Sequence, residues 1–342
     1  MQPLLGLAAL RLGRPVRMAF SRPESMRATT KRHPSRITAR LGCDAQGRLT
    51  ALAFKGVFDT GAYASWGPTV ANRVPVHATG PYRVPAVHAT ARAVHTHGPV
   101  AGAFRGFGVP QAAIATETLI DRLADAAGID PLAFRLANAL RDGDCTATGQ
   151  RLASIGLVDC LEALAPHWRE ARAAAAAHNA ARPTVRRGVG LAAAWYGCGN
   201  TALPNPSTIR IGLAADGTVV LHQGAVDIGQ GSSTVIAQIA ADALGLPLAA
   251  FRFVDADTAR TPDAGKTSAS RQTVVSGRAA EAAAKALRAA ILRHANAGPD
   301  ARLALAPGRL EVSGARSIDL AALPRDAFGY AFSAEAIWAP AP

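Results

Sequence analysis

The segment Ala103-Phe104-Arg105-Gly106-Phe107-Gly108-Val109-Pro110-Gln111 lies between a predicted strand and a predicted helix. Glycine at positions 106 and 108 permits backbone conformations and close approaches that a β-carbon would exclude. Arg105 offers a planar charged fork to an anionic or carbonyl-rich ligand, and the N-terminus of the following helix favours negative charge. The same spacing is also typical of a tight turn with two packed phenylalanines, so this loop alone leaves both interpretations open.

Strands and helices surround this loop in the first half of the chain. Alternating or continuous apolar residues predict strands at residues 36–41, 49–58 and 87–96. Apolar residues on one face predict a helix over residues 110–127, and a shorter helix follows over 131–140. This order of elements indicates a mixed α and β structure.

The second half of the chain continues this mixture after a long helix. That helix is predicted over residues 157–179, and Arg182-Pro183-Thr184 breaks its pattern and favours a domain boundary. Beyond the break we predict a helix over 232–244 and another that Ser276 caps and that ends near residue 298. The predicted strands of this half are 188–195, 207–213, 218–222 and 251–254.

A second loop of interest is Asp227-Ile228-Gly229-Gln230-Gly231-Ser232-Ser233-Thr234, again between a predicted strand and a predicted helix. Gln230, with a glycine on each side, can offer an amide donor and an acceptor to a heterocycle. Ser232 and the two residues after it supply hydroxyl groups at the start of the helix. By itself the pattern resembles nucleotide-type loops and plain helix caps equally.

The third loop, residues 261–273, contains Gly265-Lys266-Thr267 and so invites comparison with a P-loop. The match fails because Arg260 stands where a P-loop requires glycine. What remains is a cluster of hydroxyl and cationic side chains before a helix. That chemistry suits a phosphate or pyrophosphate group.

The three loops, in this order, resemble the molybdopterin-binding part of the xanthine dehydrogenase/aldehyde oxidase family. Further stretches fit the same family in the same order: Lys31-Arg32-His33-Pro34, Asp59-Thr60-Gly61-Ala62-Tyr63 and Gly80-Pro81-Tyr82. Two more resemble most closely the single-chain bacterial aldehyde oxidoreductases that use molybdopterin cytosine dinucleotide: Ser65-Trp66-Gly67-Pro68-Thr69-Val70-Ala71-Asn72-Arg73 and Trp195-Tyr196-Gly197-Cys198-Gly199-Asn200. The resemblance covers nearly the whole chain.

The resemblance implies an α+β fold, the molybdenum cofactor-binding domain of the aldehyde oxidase/xanthine dehydrogenase type. Two mixed α/β subdomains are expected, and the chain is expected to be incomplete at both ends. Residues 1–155 would form the C-terminal part of the first molybdopterin-binding subdomain. Residues 156–342 would form the N-terminal part of the second.

The resemblance also implies a reaction and its cofactors. Family members hydroxylate an aldehyde or an N-heterocycle with oxygen from water, and the aromatic residues favour an aldehyde, which becomes a carboxylic acid. The expected cofactor is molybdopterin cytosine dinucleotide with molybdenum. [2Fe–2S] clusters and, in some members, FAD are expected on missing domains or on partner chains. An iron–sulfur domain or subunit is therefore an expected partner, and the complete enzyme is expected to be a homodimer.

Roles for individual residues follow from the matched motifs. Arg105 is expected beside the molybdenum, where it would stabilise charge on the substrate or transition state. A substrate funnel is expected from Trp66, Phe107 and Tyr196, although core packing explains Trp66 and Tyr196 equally well. No protein metal ligand is predicted. The expected cofactor-binding residues are Phe104, Arg105, Gly106, Phe107, Gly108, Gly229, Gln230, Gly231, Ser232, Thr267, Ser268, Ala269, Ser270, Arg271 and Gln272.

The catalytic base of the family has no counterpart in this sequence. That base is a glutamate in a Gly-Val-Gly-Glu-like motif, whereas Gly188-Val189-Gly190 is followed by Leu191. Glu281 and Glu311 lie in other contexts, and Glu335 precedes an ending that lacks the expected strand-forming sequence. We therefore expect the chain alone to be inactive. The alternative is a non-catalytic remnant or a cofactor-binding fragment of such an enzyme.

Composition excludes several other classes of protein. The 342 residues are 49% hydrophobic and 18% charged, which suits a chain that buries a sizeable core. The net charge is +13, yet the arginines are scattered and aromatic residues make up only 5%, which argues against nucleic acid. No apolar run is long enough to span a membrane, and the apolar start lacks a signal peptide's basic region.

The cysteines indicate neither a metal site nor a disulfide framework. The sequence contains four, and no two stand in a Cys-X-X-Cys pair, so neither an iron–sulfur cluster nor a zinc site is expected within this chain. Without a secretion signal, four reduced thiols in a cytoplasmic protein are the simplest interpretation.

Overall fold

The computed structural model describes residues 2–182, 184–199, 205–255 and 257–340. Pro183 and Asn200, which belong to the sequence patterns above, lie outside the described residues. The chain divides into two compact units, Met1–Tyr196 and Gly197–Pro342. The subdomain boundary expected between residues 155 and 156 lies earlier in the chain than this division. The long helix between the two positions packs within the first unit.

A three-stranded sheet forms the centre of the first unit. Strands β1 (Ser35–Cys43) and β2 (Leu49–Gly61) are antiparallel, and β3 (Ala86–His95) runs parallel to β2. Their order is β1-β2-β3. Apolar side chains such as Phe54 and Phe58 alternate with exposed residues along β2, so one face of the sheet is buried. The three strands predicted from this alternation are confirmed.

Helices cover the buried face of this sheet. Two of them, α3 and α4, pack on the strands, and Val74 and Ala112 join the core there. The predictions for α4, α5 and α6 are confirmed within a few residues. The helices of this unit are α1 (Gln2–Leu12), α2 (Arg22–Ala28), α3 (Gly67–His77), α4 (Val109–Ala126), α5 (Pro131–Asn138) and α6 (Leu157–Ala181).

The strand predicted over residues 188–195 is wrong. This segment has no strand pairing, although its composition is strand-like. The backbone N–H of Ala193 donates instead to the Glu117 carboxylate at 3.1 Å. Leu191 packs beside Trp168 in a small core cluster. Side chains, rather than a neighbouring strand, therefore hold the segment, and single-sequence periodicity does not reveal that arrangement.

The second unit is built on a four-stranded sheet of order β10-β4-β5-β6, in which only β5 and β6 are parallel. Helices α7 (Ser232–Leu244) and α8 (Gln272–His294) pack on one face over a continuous apolar core. A small antiparallel sheet comprises β7, β8 and β9. The strands are β4 (Ser207–Leu213), β5 (Val219–Gln223), β6 (Phe251–Asp255), β7 (Leu303–Ala306), β8 (Arg309–Val312), β9 (Ile318–Asp319) and β10 (Phe332–Trp338).

Two expectations for this unit need correction. Helix α8 begins at Gln272, so Ser276 is not its cap; the buried Ser276 hydroxyl contacts Ser207 Oγ at 2.8 Å and the Gln272 side chain.

The C-terminal sequence does form a strand, β10, in which Glu335 binds Arg210 of β4 at 2.6 Å. The cross-strand ion pair supports pairing that the local sequence does not indicate.

No helix in the described part of the chain is long and apolar enough to cross a membrane. The cysteines Cys43, Cys145, Cys160 and Cys198 are all free thiols.

Candidate functional site

In the first unit, the loop before α4 is a tight turn with an exposed ring. Gly106 and Gly108 have φ values of 88° and 97°, and Phe107 between them has φ 44°. A β-carbon at Gly108 would lie 2.7 Å from the carbonyl oxygen of Val70, so a side chain does not fit there. Phe104 is 47% exposed and is therefore not a packed core residue. The turn is confirmed, but the interpretation with two packed phenylalanines does not hold for Phe104.

Arg32 holds this loop from the side. Its guanidinium group lies 4.7 Å from the centre of the Phe104 ring and donates a hydrogen bond to the carbonyl oxygen of Arg105. Desolvation lowers the pKa of Arg32 from its ordinary value. The backbone of Lys31 accepts a bond from Gly102 N at 3.0 Å. Arg105 itself is exposed. The sequence pattern included Arg32 only as part of a motif and did not indicate this role.

Two buried polar atoms lie at the base of the same loop. Gln111, in the first turn of α4, donates to the His33 carbonyl oxygen at 3.2 Å. His33 Nε2 and Gln111 Oε1 are buried without a hydrogen-bond partner within the described residues. Burial lowers the pKa of His33, which favours its neutral form. The residues that pack beneath the loop are therefore partly polar rather than wholly apolar.

The predicted funnel aromatics fall into two groups within the first unit. Trp66 and Phe107 form an edge-to-face pair with ring centres 6.1 Å apart. Tyr196 stacks on His77 at 5.8 Å, and Arg73 lies 5.3 Å from the Tyr196 ring. The structure thus brings Trp66 to the Arg105 loop. It places Tyr196 against helix α3.

In the second unit, Asp227 organises the glycine loop between β5 and α7. Its carboxylate accepts hydrogen bonds from the backbone N–H groups of Gly229 at 2.8 Å, Gly231 at 3.3 Å and Ser233 at 3.2 Å. These bonds hold the pKa of Asp227 below its ordinary range. Both glycines have positive φ, and a β-carbon on either would meet no atom within 4 Å. The backbone is therefore open to a ligand on that side.

The Gln230 amide is satisfied within its own loop. Its Oε1 accepts from Ile228 N at 2.6 Å, and its Nε2 donates to Val226 O at 3.1 Å and to Ser232 Oγ at 2.9 Å. A heterocycle bound to this amide would have to replace some of these bonds. The expectation that Gln230 binds the pterin stays a prediction.

Thr267 joins the second and third loops. Its hydroxyl oxygen accepts hydrogen bonds from Val226 N at 2.9 Å and from Gln272 Nε2 at 3.1 Å. Gln272 opens helix α8, and Ser232 opens helix α7. Residues 226–231 and 265–272, which we call the two-loop cradle, therefore gather two helix N-termini with glycine backbone and hydroxyl groups. Such groups favour an anion.

The cradle contains a strained stretch of backbone. Ala269 and Ser270 are consecutive left-handed residues with φ 54° and 55°. Gly199 N donates to the Ala269 carbonyl oxygen at 2.7 Å, and the Cys198 thiol donates to that of Ser270 at 3.2 Å. Left-handed conformations of residues other than glycine cluster at functional sites. This pair is a signal that the sequence alone does not show.

Arg271 supports the cradle from inside. Its side chain is only 1% exposed, and its guanidinium donates to four backbone carbonyl oxygens. The loop backbone thus takes up its donors, and the expectation that Arg271 binds the cofactor stays a prediction. Arg271 shapes the loop, whereas the polar residues Lys266, Ser268 and Ser270 beside it are exposed.

Comparison with known proteins explains the likeness of these loops to one family. A family model described as a molybdopterin cofactor-binding domain matches residues 1–139, and a second model of the same description matches residues 162–341. The chain belongs to the molybdopterin-binding xanthine dehydrogenase/aldehyde oxidoreductase family. The expected subdomain boundary at residues 155/156 lies between the two matches and stays a prediction.

Relatives of this molybdopterin-binding chain are longer than it. A probable xanthine dehydrogenase subunit of Bacillus subtilis (strain 168) is 37% identical over 276 residues, covering 80% of this chain and 36% of that protein. The aldehyde oxidoreductase of Megalodesulfovibrio gigas is 32% identical over 289 residues, covering 84% and 32%. The chain thus spans about a third of the length of these curated relatives.

A solved structure confirms the α+β fold expected for this family. The aldehyde oxidoreductase from Desulfovibrio desulfuricans superposes with a TM-score of 0.82 at 27% identity, covering 99% of this chain and 35% of that one.

The residues of the second unit fit a molybdopterin cofactor. Open glycine backbone at 229 and 231 leaves room for a ligand, and hydroxyl groups stand at both helix starts. Gln223 Oε1 is buried without a described partner, while its Nε2 donates to Ser233 Oγ at 2.9 Å. An unpaired acceptor beside the loop is costly unless a further donor binds it. Together, the open backbone, the hydroxyl groups and the free Gln223 acceptor suit a large polar, anionic group.

Proposed function

We propose that this chain is the cofactor-binding part of a molybdenum-dependent aldehyde oxidoreductase. The complete enzyme would oxidise an aldehyde to a carboxylic acid with oxygen from water. The observation that carries this proposal is the two-loop cradle, in which Thr267 links the glycine loop of α7 to the N-terminus of α8. The Megalodesulfovibrio gigas relative is an aldehyde oxidoreductase, which supports the choice of reaction.

The cradle would hold molybdopterin cytosine dinucleotide, which supplies the molybdenum redox chemistry when it is bound. Residues 267–272 would bind its phosphate end through hydroxyl groups and helix N–H groups. Gln230 would exchange its loop bonds for bonds to the pterin. Arg105 would stabilise negative charge on the substrate, with Trp66 and Phe107 beside the substrate path.

Catalysis would need a carboxylate base from outside these 342 residues. Glu281 binds Arg278 and Lys285, and Glu335 binds Arg210, so these two carboxylates are paired with cations. We propose that further domains or partner chains supply the base together with [2Fe–2S] clusters and, in some assemblies, FAD. The same ion pairs favour the second candidate function, a cofactor-binding fragment without catalysis. For the complete enzyme we propose a homodimer in the cytoplasm.

Expression in a host that makes molybdopterin cytosine dinucleotide tests this proposal. The purified chain is expected to retain molybdenum and to release cytidine monophosphate after acid hydrolysis, but not to reduce a dye with aldehyde. Thr267→Val removes the hydroxyl that joins the two loops, so about a tenfold loss of retained cofactor is expected. The control Thr258→Val changes an exposed threonine elsewhere in the same unit.

Each outcome of this experiment has a definite meaning. Equal retention by the Thr267→Val variant, the control and the unchanged chain would refute the cradle as the binding site. No retention by the unchanged chain would refute the cofactor assignment. Aldehyde-dependent turnover with stoichiometric molybdenum would refute the need for a base from outside these residues.

A further inference from the structure

The solvent-facing side of the first sheet carries a cluster of cations that the candidate site does not use. Helices α3 and α4 pack on the opposite side, over Leu52, Phe54 and Phe58. All members of the cluster are exposed. We call it the basic face: Arg36, Arg40, Lys55, His88 and Arg92.

The strand register fixes the arrangement of the basic face. Arg36 and Arg92 stand at the two ends of one row across the three strands, with Val57 of β2 between them. Arg40 and His88 stand at the ends of a second row in the same way. Strand spacings make the rows about 10 Å wide and about 13 Å apart. These four basic residues thus stand at the corners of a rectangle.

Lys55 lies at the centre of that rectangle, between Thr38 on β1 and Thr90 on β3. The residues between the cations are otherwise small, such as Ala51 and Ala53. The face is therefore flat, with side chains that protrude only where they are charged. A second flat protein layer can approach such a surface closely.

The four Lys and Arg charges of the basic face have no ion-pair partner among the described residues. Asp59 follows Val57 on the same side of β2. Its carboxylate accepts bonds from Gly61 N at 2.8 Å and from Thr96 Oγ1 at 2.7 Å, and it offers one negative charge against the four positive charges of the face. Other cations of this unit, such as Arg135, do pair with carboxylates.

We infer that the basic face is a docking surface for the acidic face of a partner polypeptide. Charge complementarity identifies the partner's chemistry, because four clustered cations attract and orient a surface that presents several carboxylates. The face lacks the protruding aromatic side chains on which nucleic-acid bases stack, which disfavours single strands. The inference concerns the first unit and goes beyond cofactor binding, so failure of the cradle proposal would leave it standing.

Binding of fluorescently labelled poly-L-glutamate to the whole chain tests this inference. The variant carries Arg36→Gln, Arg40→Gln, Lys55→Gln and Arg92→Gln. A matched control removes four exposed cations elsewhere: Arg187→Gln, Arg293→Gln, Arg302→Gln and Arg316→Gln. In fluorescence anisotropy at low salt, the basic-face variant is expected to bind at least about tenfold more weakly, and the control less than about threefold more weakly.

Further measurements keep the test decisive. Equal weakening in the two variants would overturn the inference, because overall charge would then explain binding. Tighter binding of a 20-base-pair DNA duplex than of poly-L-glutamate, lost in the basic-face variant, would overturn the assignment to a polypeptide. The single reversal Lys55→Glu should weaken poly-L-glutamate binding by more than about threefold, since it places a like charge at the centre. Unchanged thermal melting of the variants would show that they fold.

Discussion

Arg271 donates hydrogen bonds to the carbonyl oxygens of Asn205, Pro206, Ala264 and Lys266 while it is almost fully buried. Arg271→Met removes these donors and leaves several carbonyl groups unsatisfied. We expect the free energy of unfolding of the second unit to fall by about 2–4 kcal/mol, measured by urea denaturation.

Arg293→Met is the control for this prediction, because Arg293 is an exposed residue in the last turn of α8. Its effect should stay below about 0.5 kcal/mol. A loss below about 1 kcal/mol for Arg271→Met would mean that the carbonyl groups find other partners. That result would contradict the structural role assigned to Arg271.

His77 predicts a pH dependence of stability. Burial lowers the pKa of His77, and its bond to the Arg73 carbonyl oxygen offsets this only in part. The unfolded chain therefore takes up a proton at higher pH than the folded chain does. The stability that neutral His77 contributes is complete above the ordinary histidine pKa of about 6.5 and is lost as the pH falls through the lower folded value.

The variant His77→Phe measures this contribution, because it keeps a ring beside Trp195 and Tyr196 but cannot titrate. Between pH 7.5 and 5.5, its melting temperature should fall less than that of the unchanged chain. His33 and His222 also have lowered pKa values, but they remain in both proteins. An identical fall in the two proteins would contradict the prediction.

At the residue level, some roles followed from local chemistry and others did not. Asp59 and Asp227 each stand next to a glycine turn in the sequence, where a carboxylate commonly binds backbone N–H groups, and both do so in the structure. Such bonds join residues that are close in sequence, so the pattern contains the necessary information. The backbone partners of Arg271 were not predicted, because they include Asn205 and Pro206, far earlier in the chain.

At the level of elements, the left-handed pair in the third loop allows a test of strain. Ser270 is exposed and has φ 55°, a conformation that glycine adopts without a steric penalty. Ser270→Gly should therefore raise the free energy of unfolding by about 0.5–1 kcal/mol. Ser268→Gly, in the same loop but without positive φ, should lower it by a similar amount. Destabilisation by both variants in urea denaturation would contradict the assigned strain.

The elements predicted correctly share length and regular periodicity. Strand β2 and helix α4 each repeat their apolar positions over many residues, so pattern and structure agree. Helix α3 was missed because it contains two prolines, at its start and at Pro75 inside it. Strands β7 to β9 are two to four residues long, too short for any period to appear. Non-local pairing therefore decides the elements that the sequence did not predict.

At the level of the whole molecule, the net charge of +13 has more than one structural meaning. Arg271 and Arg32 donate hydrogen bonds to backbone carbonyl oxygens of two loops. Arg135 is buried and forms ion pairs with two carboxylates. Arg105 and the basic face remain exposed to solvent. Composition gave no means of separating structural arginines from those available to a ligand or partner. Only their surroundings in the fold make that distinction.

Helix α1 predicts how the whole chain behaves in solution. Its leucines are exposed on several sides, with Leu10 at 83%, and none of its residues is buried. A helix that is apolar all round is stable only when it is covered, so we expect the chain to self-associate through α1 at micromolar concentration.

Replacing Leu4, Leu7, Leu10 and Leu12 with glutamine should shift the sedimentation coefficient towards that of a monomer. The control Phe328→Gln with Ile337→Gln changes exposed apolar residues of the second unit and should leave association unchanged. Association that persists in the leucine variant and disappears in the control would show that the self-association surface lies on the second unit instead.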